Sequence, residues 1–184
     1  MPLNKAKCVK RLAEIEVENT LYFLAVNSDK HREALNELSS DPNDSEMADI
    51  AADIAFHSDE ILRLAEQSAV LALYQVVELN TMKIAGWHWS SEEIKQMKLF
   101  RFDCLKSKLK SELHIELEKL AGYTAVDELR SVNNAIKHQG VVTKDLSKYS
   151  GWIVDAPLTN LDAFIKRVAP NVPTYLEALA TGFA

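Results

Sequence analysis

The stretch that decides the fold class runs Ala69-Val-Leu-Ala-Leu-Tyr-Gln-Val-Val77. It is apolar nearly all round, which is expected of a helix that is packed centrally with neighbours on several sides. From Glu46 up to this stretch the sequence is amphipathic at helical spacing. The apolar positions there are Ile50, Ile54, Ile61 and Leu64. The sequence therefore predicts one long helix from Glu46 to about Ile84, at the centre of an all-α protein.

Helices are also predicted on the N-terminal side of this segment. The five glycines and five prolines avoid the long periodic segments, so long helices can form. A first helix is predicted from Asn4 to Val26 and a second, shorter one from His31 to Leu38. The first has Leu12, Ile15, Asn19, Tyr22, Phe23 and Val26 at helical spacing. Residues 39–45, with the sequence Ser-Ser-Asp-Pro-Asn-Asp-Ser, are predicted to form a loop.

On the C-terminal side, capping residues predict where the next helix begins. Ser90 and Glu93 have the capping-box spacing, in which each side chain satisfies a backbone N–H at the start of a helix. One apolar stripe then extends up to Gly122 and is formed by Leu105, Leu109, Leu113, Leu117 and Leu120. The sequence therefore predicts one helix over 94–120.

Another helix is predicted to end at His138. Thr124 with Asp127 offers a capping pair for its start, and Gly140 can adopt the left-handed conformation that ends helices. The chain is less regular afterwards, and any β-structure is limited to residues 141–155.

Two short helices are predicted near the C-terminus. Thr159 with Asp162 predicts the start of one helix, which Pro170 stops, and Pro173 suits the first turn of a last helix through Leu179. A chain of 184 residues with 47% apolar composition is the size of one domain and can fill a core. We therefore predict a compact helical bundle formed by a single domain over 1–184.

Charge and cysteine usage exclude several classes of protein. A net charge of −6 argues against a protein that coats nucleic acid, although residues 81–150 hold 12 bases and 9 acids. Cys8 and Cys104 stand alone, without a disulfide framework. The basic start leads into acidic residues rather than an apolar signal core, and no apolar stretch approaches the length of a membrane span. We therefore expect a cytoplasmic protein without a membrane segment.

Metal-dependent and nucleophilic chemistry find little support. A di-iron helical bundle needs Glu-x-x-His pairs, and none of the five histidines has Glu three residues earlier. Asp53 and His57 lie at i,i+4, which is typical of a surface interaction. The aromatic cluster Trp87-His88-Trp89 is able either to stack on a base or to plug the end of the core. We predict neither a metal nor a cofactor.

The segment Leu129-Arg-Ser-Val-Asn-Asn-Ala-Ile-Lys-His-Gln-Gly140 places four polar side chains along one helical stripe. At 100° per residue, Arg130, Asn134, Lys137 and His138 lie within about 100° of one another, whereas Leu129, Val132 and Ile136 form a separate apolar face. Cations can hold phosphate oxygens, an amide can position a ribose, and an imidazole can exchange protons. A polar face is also an ordinary feature of an amphipathic helix, so a purely structural role stays open.

This segment resembles the signature of the HEPN superfamily, whose helical domains carry an Arg, four to six intervening residues and a His on one helix. The matching residues are Arg130 and His138, with Asn134 four residues before the histidine. Seven residues separate Arg130 from His138, and Asn133 stands where the pattern has an Arg. Position 130 lies less than one helical turn before position 133, so a long Arg side chain there can reach the same pocket. The helical layout compatible with this family covers 46–140, followed by an irregular segment and C-terminal helices over 141–184.

The resemblance implies a metal-independent ribonuclease, or an RNA-binding component, of a toxin–antitoxin, phage-defence or stress system. It assigns catalysis to Arg130, Asn134 and His138, and substrate binding to Asn133 and Lys137 as well as Glu78, which lies on the central helix. HEPN sites are commonly formed across a dimer, so a homodimer is expected, together with RNA and an antitoxin-like protein as partners. The alternative is a non-catalytic helical module for protein–protein interaction.

Overall fold

α-Helices form nearly all of the regular structure in a computed structural model, which describes residues 4–38, 45–138 and 140–183. The helices are α1 (Lys5–Leu38), α2 (Ser45–Ala85), α3 (Ser91–Gln96), α4 (Phe102–Leu113), α5 (Tyr123–His138), α6 (Leu161–Val168) and α7 (Asn171–Gly182). Two 3-10 turns cover Leu117–Lys119 and Leu146–Lys148. In the described ranges, β-structure is limited to one isolated bridge between Val141 and Pro157. The predicted all-α class is confirmed.

The second half of α2 lies at the centre of the protein, as predicted. Ala69, Val70 and Leu73 are completely buried, and α2 packs against α1, α5, α6 and α7. One hydrophobic cluster contains buried residues of α1, α2, α4, α5, α6 and α7. The C-terminal helices therefore share the core of the preceding helices. No described helix combines the length and the apolar character that crossing a bilayer requires.

The prediction of two helices before residue 39 was wrong, because α1 continues without a break from Lys5 to Leu38. Asn27 Nδ2 and Ser28 Oγ, at the predicted break, donate to the carbonyls of Phe23 and Leu24 at 2.8 and 3.0 Å. These polar side chains thus bond back onto their own helix instead of ending it. The loop predicted over 39–45 lies outside the described residues, except that Ser45 begins α2.

The face of α1 that enters the core is not the one with the most prominent apolar series. The core contacts come from smaller side chains at helical spacing, which are Val9, Ala13, Val17, Thr20 and Leu24. The predicted series leaves four large side chains exposed, which are Leu12, Ile15, Tyr22 and Phe23. α1 therefore carries two apolar stripes, and only one of them is covered.

The single helix predicted over 94–120 was also wrong. The capping box of Ser90 and Glu93 is present, with the Ser90 N–H 2.8 Å from Glu93 Oε2, but it starts only the short α3. Lys98 and His114 adopt positive φ angles of 53° and 56°, which interrupt the helix before and after α4. The leucine stripe nevertheless indicates residues of the core, because Leu105, Leu109 and Leu117 are buried.

Two predicted capping pairs do not cap. α5 begins at Tyr123, so Thr124 already lies within the helix and Asp127 is free for other contacts. α6 begins after Asn160, which has no capping side-chain hydrogen bond. The end of α5 was predicted correctly: Gly140 has φ +69°, and its N–H donates to the Ala135 carbonyl at 2.8 Å. Pro173 lies in the first turn of α7, as predicted.

Candidate functional site

The candidate site is built on α5, whose two faces have opposite character. Leu129, Val132 and Ala135 are completely buried and fix the helix against the core. Asn134 and His138, in contrast, are exposed on the other side of the helix. Because burial of the apolar face determines how the helix is rotated, the polar stripe must face outward.

Arg130, Asn134 and His138 line one open cleft of about 260 Å³, which we call the α5 cleft. Ser131 completes the helical wall, and Thr143 and Asp145 form the opposite wall. That wall is ordered locally by Thr143, whose Oγ1 accepts a hydrogen bond from the Leu146 N–H at 3.2 Å. The structure thus brings together the three side chains that sequence analysis grouped as catalytic.

Arg130 is oriented by groups that lie outside the cleft. Its Nε and Nη2 atoms lie 2.9 and 2.7 Å from Asp127 Oδ1, one turn earlier on α5. Its guanidinium carbon lies 4.6 Å from the centre of the Phe102 ring, which begins α4. Burial disfavours the charged guanidinium, but the hydrogen bonds and charge of Asp127 outweigh it and raise the pKa of Arg130. The side chain is therefore a fixed cation.

Asp127 links α5 to the segment that forms the opposite wall. Its Oδ2 atom accepts hydrogen bonds from Tyr149 Oη at 2.5 Å and Lys148 Nζ at 2.9 Å. Burial opposes ionisation of this carboxyl, but the hydrogen bonds from Tyr149, Lys148 and Arg130 together hold its pKa below the ordinary value. A buried carboxylate thus joins the two walls of the α5 cleft.

The remaining predicted residues lie in three different environments. Asn133 is buried at 1% exposure, outside the cleft lining, and its Oδ1 atom has no hydrogen-bond partner among the described residues. Lys137 is exposed in the last turn of α5, beside the cleft but not in its lining. Glu78 lies on α2 and lines a second cavity that it shares with Arg130. Neither Asn133 nor Glu78 is brought together with His138.

Sequence analysis missed Asp127, Thr143 and Asp145 as parts of the site. The i,i+3 spacing of Asp127 and Arg130 is a readable signal for a helical ion pair, but Asp127 was interpreted as a capping residue. Thr143 and Asp145 have no such signal, because the fold of a nonhelical segment brings them to α5. Asp145 adds an exposed carboxylate to the cleft, which limits its positive charge.

Comparisons of the chain with protein-family models, with curated proteins and with solved structures found no significant match. Interpretation of the site therefore depends on its own geometry. Within residues 4–38, 45–138 and 140–183, no group of three or more His, Cys, Asp or Glu side chains is arranged to hold a metal ion.

Proposed function

We propose that this protein binds RNA in the α5 cleft and cleaves it without a metal ion, as a divergent HEPN-like ribonuclease. One observation supports the proposal above all: Arg130, Asn134 and His138 line the same open space. A guanidinium can bind phosphate oxygens, an amide can orient a ribose, and an imidazole can accept or donate a proton. RNA supplies its own nucleophile in the 2′-hydroxyl.

Local charge favours a polyanionic ligand at this site. The whole chain has a net charge of −6, yet residues 129–150 contain four Lys or Arg residues and one Asp. Asp127 uses two of the five N–H donors of Arg130, so three remain for phosphate oxygens. Lys137 and Lys144 are exposed near the cleft and add positive charge for the neighbouring phosphates.

The proposed reaction is an internal transfer at phosphorus. The 2′-oxygen attacks the phosphorus while the His138 imidazole accepts the hydroxyl proton. The bond from phosphorus to the 5′-oxygen breaks, and the departing oxygen takes up a proton from the imidazolium. The products are a 2′,3′-cyclic phosphate and a 5′-hydroxyl, so neither water nor a metal enters the balance. Such an activity fits a toxin, phage-defence or stress system, with an antitoxin-like partner that covers the cleft.

The test uses a labelled single-stranded RNA with excess EDTA. We expect the wild-type protein to produce 2′,3′-cyclic phosphate ends, and His138→Ala to reduce the rate by about 100-fold or more. His57→Ala is the matched control, because His57 is exposed on α2 and does not line the cleft. Equal rates in the two variants would remove His138 from the mechanism. Binding without cleavage in the wild type would leave an RNA-binding protein and overturn the catalytic part.

A second candidate function, protein–protein interaction by homodimerisation, is favoured by the uncovered stripe of α1. Leu12, Ile15, Asn19, Tyr22 and Val26 follow the alternating three- and four-residue spacing of a coiled-coil seam, and the first four of them are exposed. A parallel second copy would place Asn19 against its counterpart, an arrangement that fixes register in coiled coils. Arg11 and Glu16 flank this α1 seam with opposite charges.

Sedimentation tests this second candidate without RNA. We expect the wild-type protein to sediment as a dimer and Tyr22→Glu to sediment as a monomer with an unchanged circular-dichroism spectrum. Ile153→Glu is the control, because Ile153 is 75% exposed but lies far along the chain from α1. A monomeric wild-type protein would exclude dimerisation through the α1 seam.

A further inference from the structure

A second cavity lies on α2, apart from the walls of the α5 cleft, and Arg130 is the one described residue that lines both. We call it the α2 cavity. It measures about 340 Å³, within the range of small-molecule pockets, and is lined by residues of α2, α4, α5 and α7 and of the segment before α4. Most of its lining is apolar and includes Val77, Met82, Leu99, Phe102, Leu105 and Val126.

Three hydroxyl groups in the lining of the α2 cavity have no hydrogen-bond partner among the described residues, and that of Thr81 is also shut off from solvent. Thr81 is 6% exposed, and its Oγ1 has no partner among the described residues. The buried Tyr74 and Tyr175 also line the cavity, and none of the hydrogen bonds found between described residues involves their phenol oxygens. A buried hydroxyl without a partner costs free energy, and buried polar groups are normally satisfied. The buried Thr81 hydroxyl, together with the two phenols that line the same cavity, indicates that a bound molecule supplies the partner.

The charges around the α2 cavity indicate that this molecule is neutral. The opposite charges of Arg130 and the buried Asp127, which lie 2.7 Å apart, offset each other beside this cavity. The other charged residue in the lining is Glu78, an exposed carboxylate that repels anions. Burial raises the pKa of Tyr74 and of Tyr175, so both phenols keep their protons and can donate hydrogen bonds.

We propose that the α2 cavity is a binding site for a neutral, mostly apolar small molecule that carries a hydroxyl or carbonyl group. Its apolar body packs against the leucine, valine and phenylalanine side chains of the lining. Its oxygen exchanges hydrogen bonds with Thr81, Tyr74 and Tyr175. This site is independent of RNA cleavage, since none of these three hydroxyl-bearing residues lines the α5 cleft.

The test uses 2-naphthol as the probe and measures its dissociation constant by fluorescence titration against the full chain. We expect saturable binding with one site per chain, and weaker binding of naphthalene, which lacks the hydroxyl. Tyr74→Phe and Thr81→Val each remove one hydroxyl with little change in shape. Each is expected to raise the dissociation constant about tenfold, as the loss of one hydrogen bond to the ligand implies. Tyr22→Phe, on the exposed face of α1, should leave it unchanged.

Several outcomes would overturn the proposal. These are the absence of saturable 2-naphthol binding, equal affinities for naphthol and naphthalene, and equal affinities in the Tyr74→Phe, Thr81→Val and Tyr22→Phe variants. Tighter binding of the anion 2-naphthoate would contradict the assignment of a neutral ligand. Circular-dichroism spectra of the variants identify any loss of folding, and the conservative Tyr175→Phe provides a third, independent removal of a hydroxyl. RNA cleavage is not part of any of these measurements.

Discussion

Two regions of the protein, an outer arm and a body, have similar sequence periodicity but very different burial. The outer arm comprises residues 28–36 of α1 and 49–64 of α2, and Ser58 is the one buried side chain described in it. The body comprises the rest of α2 with α5, α6 and α7, in which Leu73, Leu129 and Ile165 are completely buried. Helical periodicity thus identifies a helix in both regions, but only a neighbouring element makes an apolar stripe into a core.

The largest difference in stability between the two regions is expected when one leucine in each is replaced by alanine. Leu129→Ala should lower the free energy of unfolding by about 3 kcal/mol, because it leaves a cavity in a completely buried site. Leu64→Ala, at 54% exposure on the outer arm, should change it by less than about 1 kcal/mol. Urea unfolding followed by circular dichroism measures both values. Similar losses in the two variants would show that the arm is also part of a core.

Neutralising one carboxylate in each region should give a second, smaller difference in stability between the body and the outer arm. Asp127→Asn should cost about 2 kcal/mol of unfolding free energy, because it leaves the half-buried Arg130 without its counter-charge. Asp59→Asn on the outer arm is the matched control, since this carboxylate is 70% exposed and lies 3.5 Å from His31. We expect no measurable loss there. Equal unfolding midpoints for all three proteins would refute the structural role assigned to Asp127.

The contribution of Asp127 should depend on pH in a defined direction. Its pKa is lower in the folded protein than the ordinary value of 3.8, so its stabilisation is complete above that value. It is lost as the pH falls through the lowered folded pKa. The difference in stability between the wild type and Asp127→Asn should therefore be constant near neutral pH and shrink below about pH 4. A difference that grows in acid would have the wrong sign.

The smallest expected effect tests whether the buried hydroxyl groups of the body have hydrogen-bond partners in the folded protein. Thr81→Val replaces the hydroxyl that has no partner among the described residues with a methyl group and should stabilise the free protein by about 1 kcal/mol. Thr159→Val, at an exposed position, is the control and should have almost no effect. Thermal unfolding of the two variants without added ligand measures the difference. Destabilisation by Thr81→Val would indicate that this hydroxyl has a partner in the folded protein.

Features set by local chemistry were predictable from the sequence. The capping box at Ser90, the left-handed Gly140 and the rotation of α5 all depend on residues within a few positions of one another. The shared stripe of Arg130, Asn134 and His138 follows from helical geometry in the same way. The sequence was therefore sufficient to predict which side chains share one face of α5.

Features set by distant contacts were not predictable. Lys98 and His114 have no residue type that signals a positive φ, so the interruptions around α4 were missed. Lys148 and Tyr149 reach Asp127 from more than twenty residues away along the chain. The apolar series that stands out in the sequence of α1, because its side chains are larger than Ala13 and Val17, is mostly exposed, whereas those two smaller residues are the ones that are buried.

Arg130 separates two hollow spaces, since it lines both the α5 cleft and the α2 cavity. Its side chain lies between the two spaces. We expect a shorter side chain at this position to connect the α5 cleft with the α2 cavity, and a longer or bulkier one to reduce the volume of both. Phenotypes of substitutions at position 130 therefore need to be interpreted on both sides at once, and variants at Thr81 or His138 are the means to separate them.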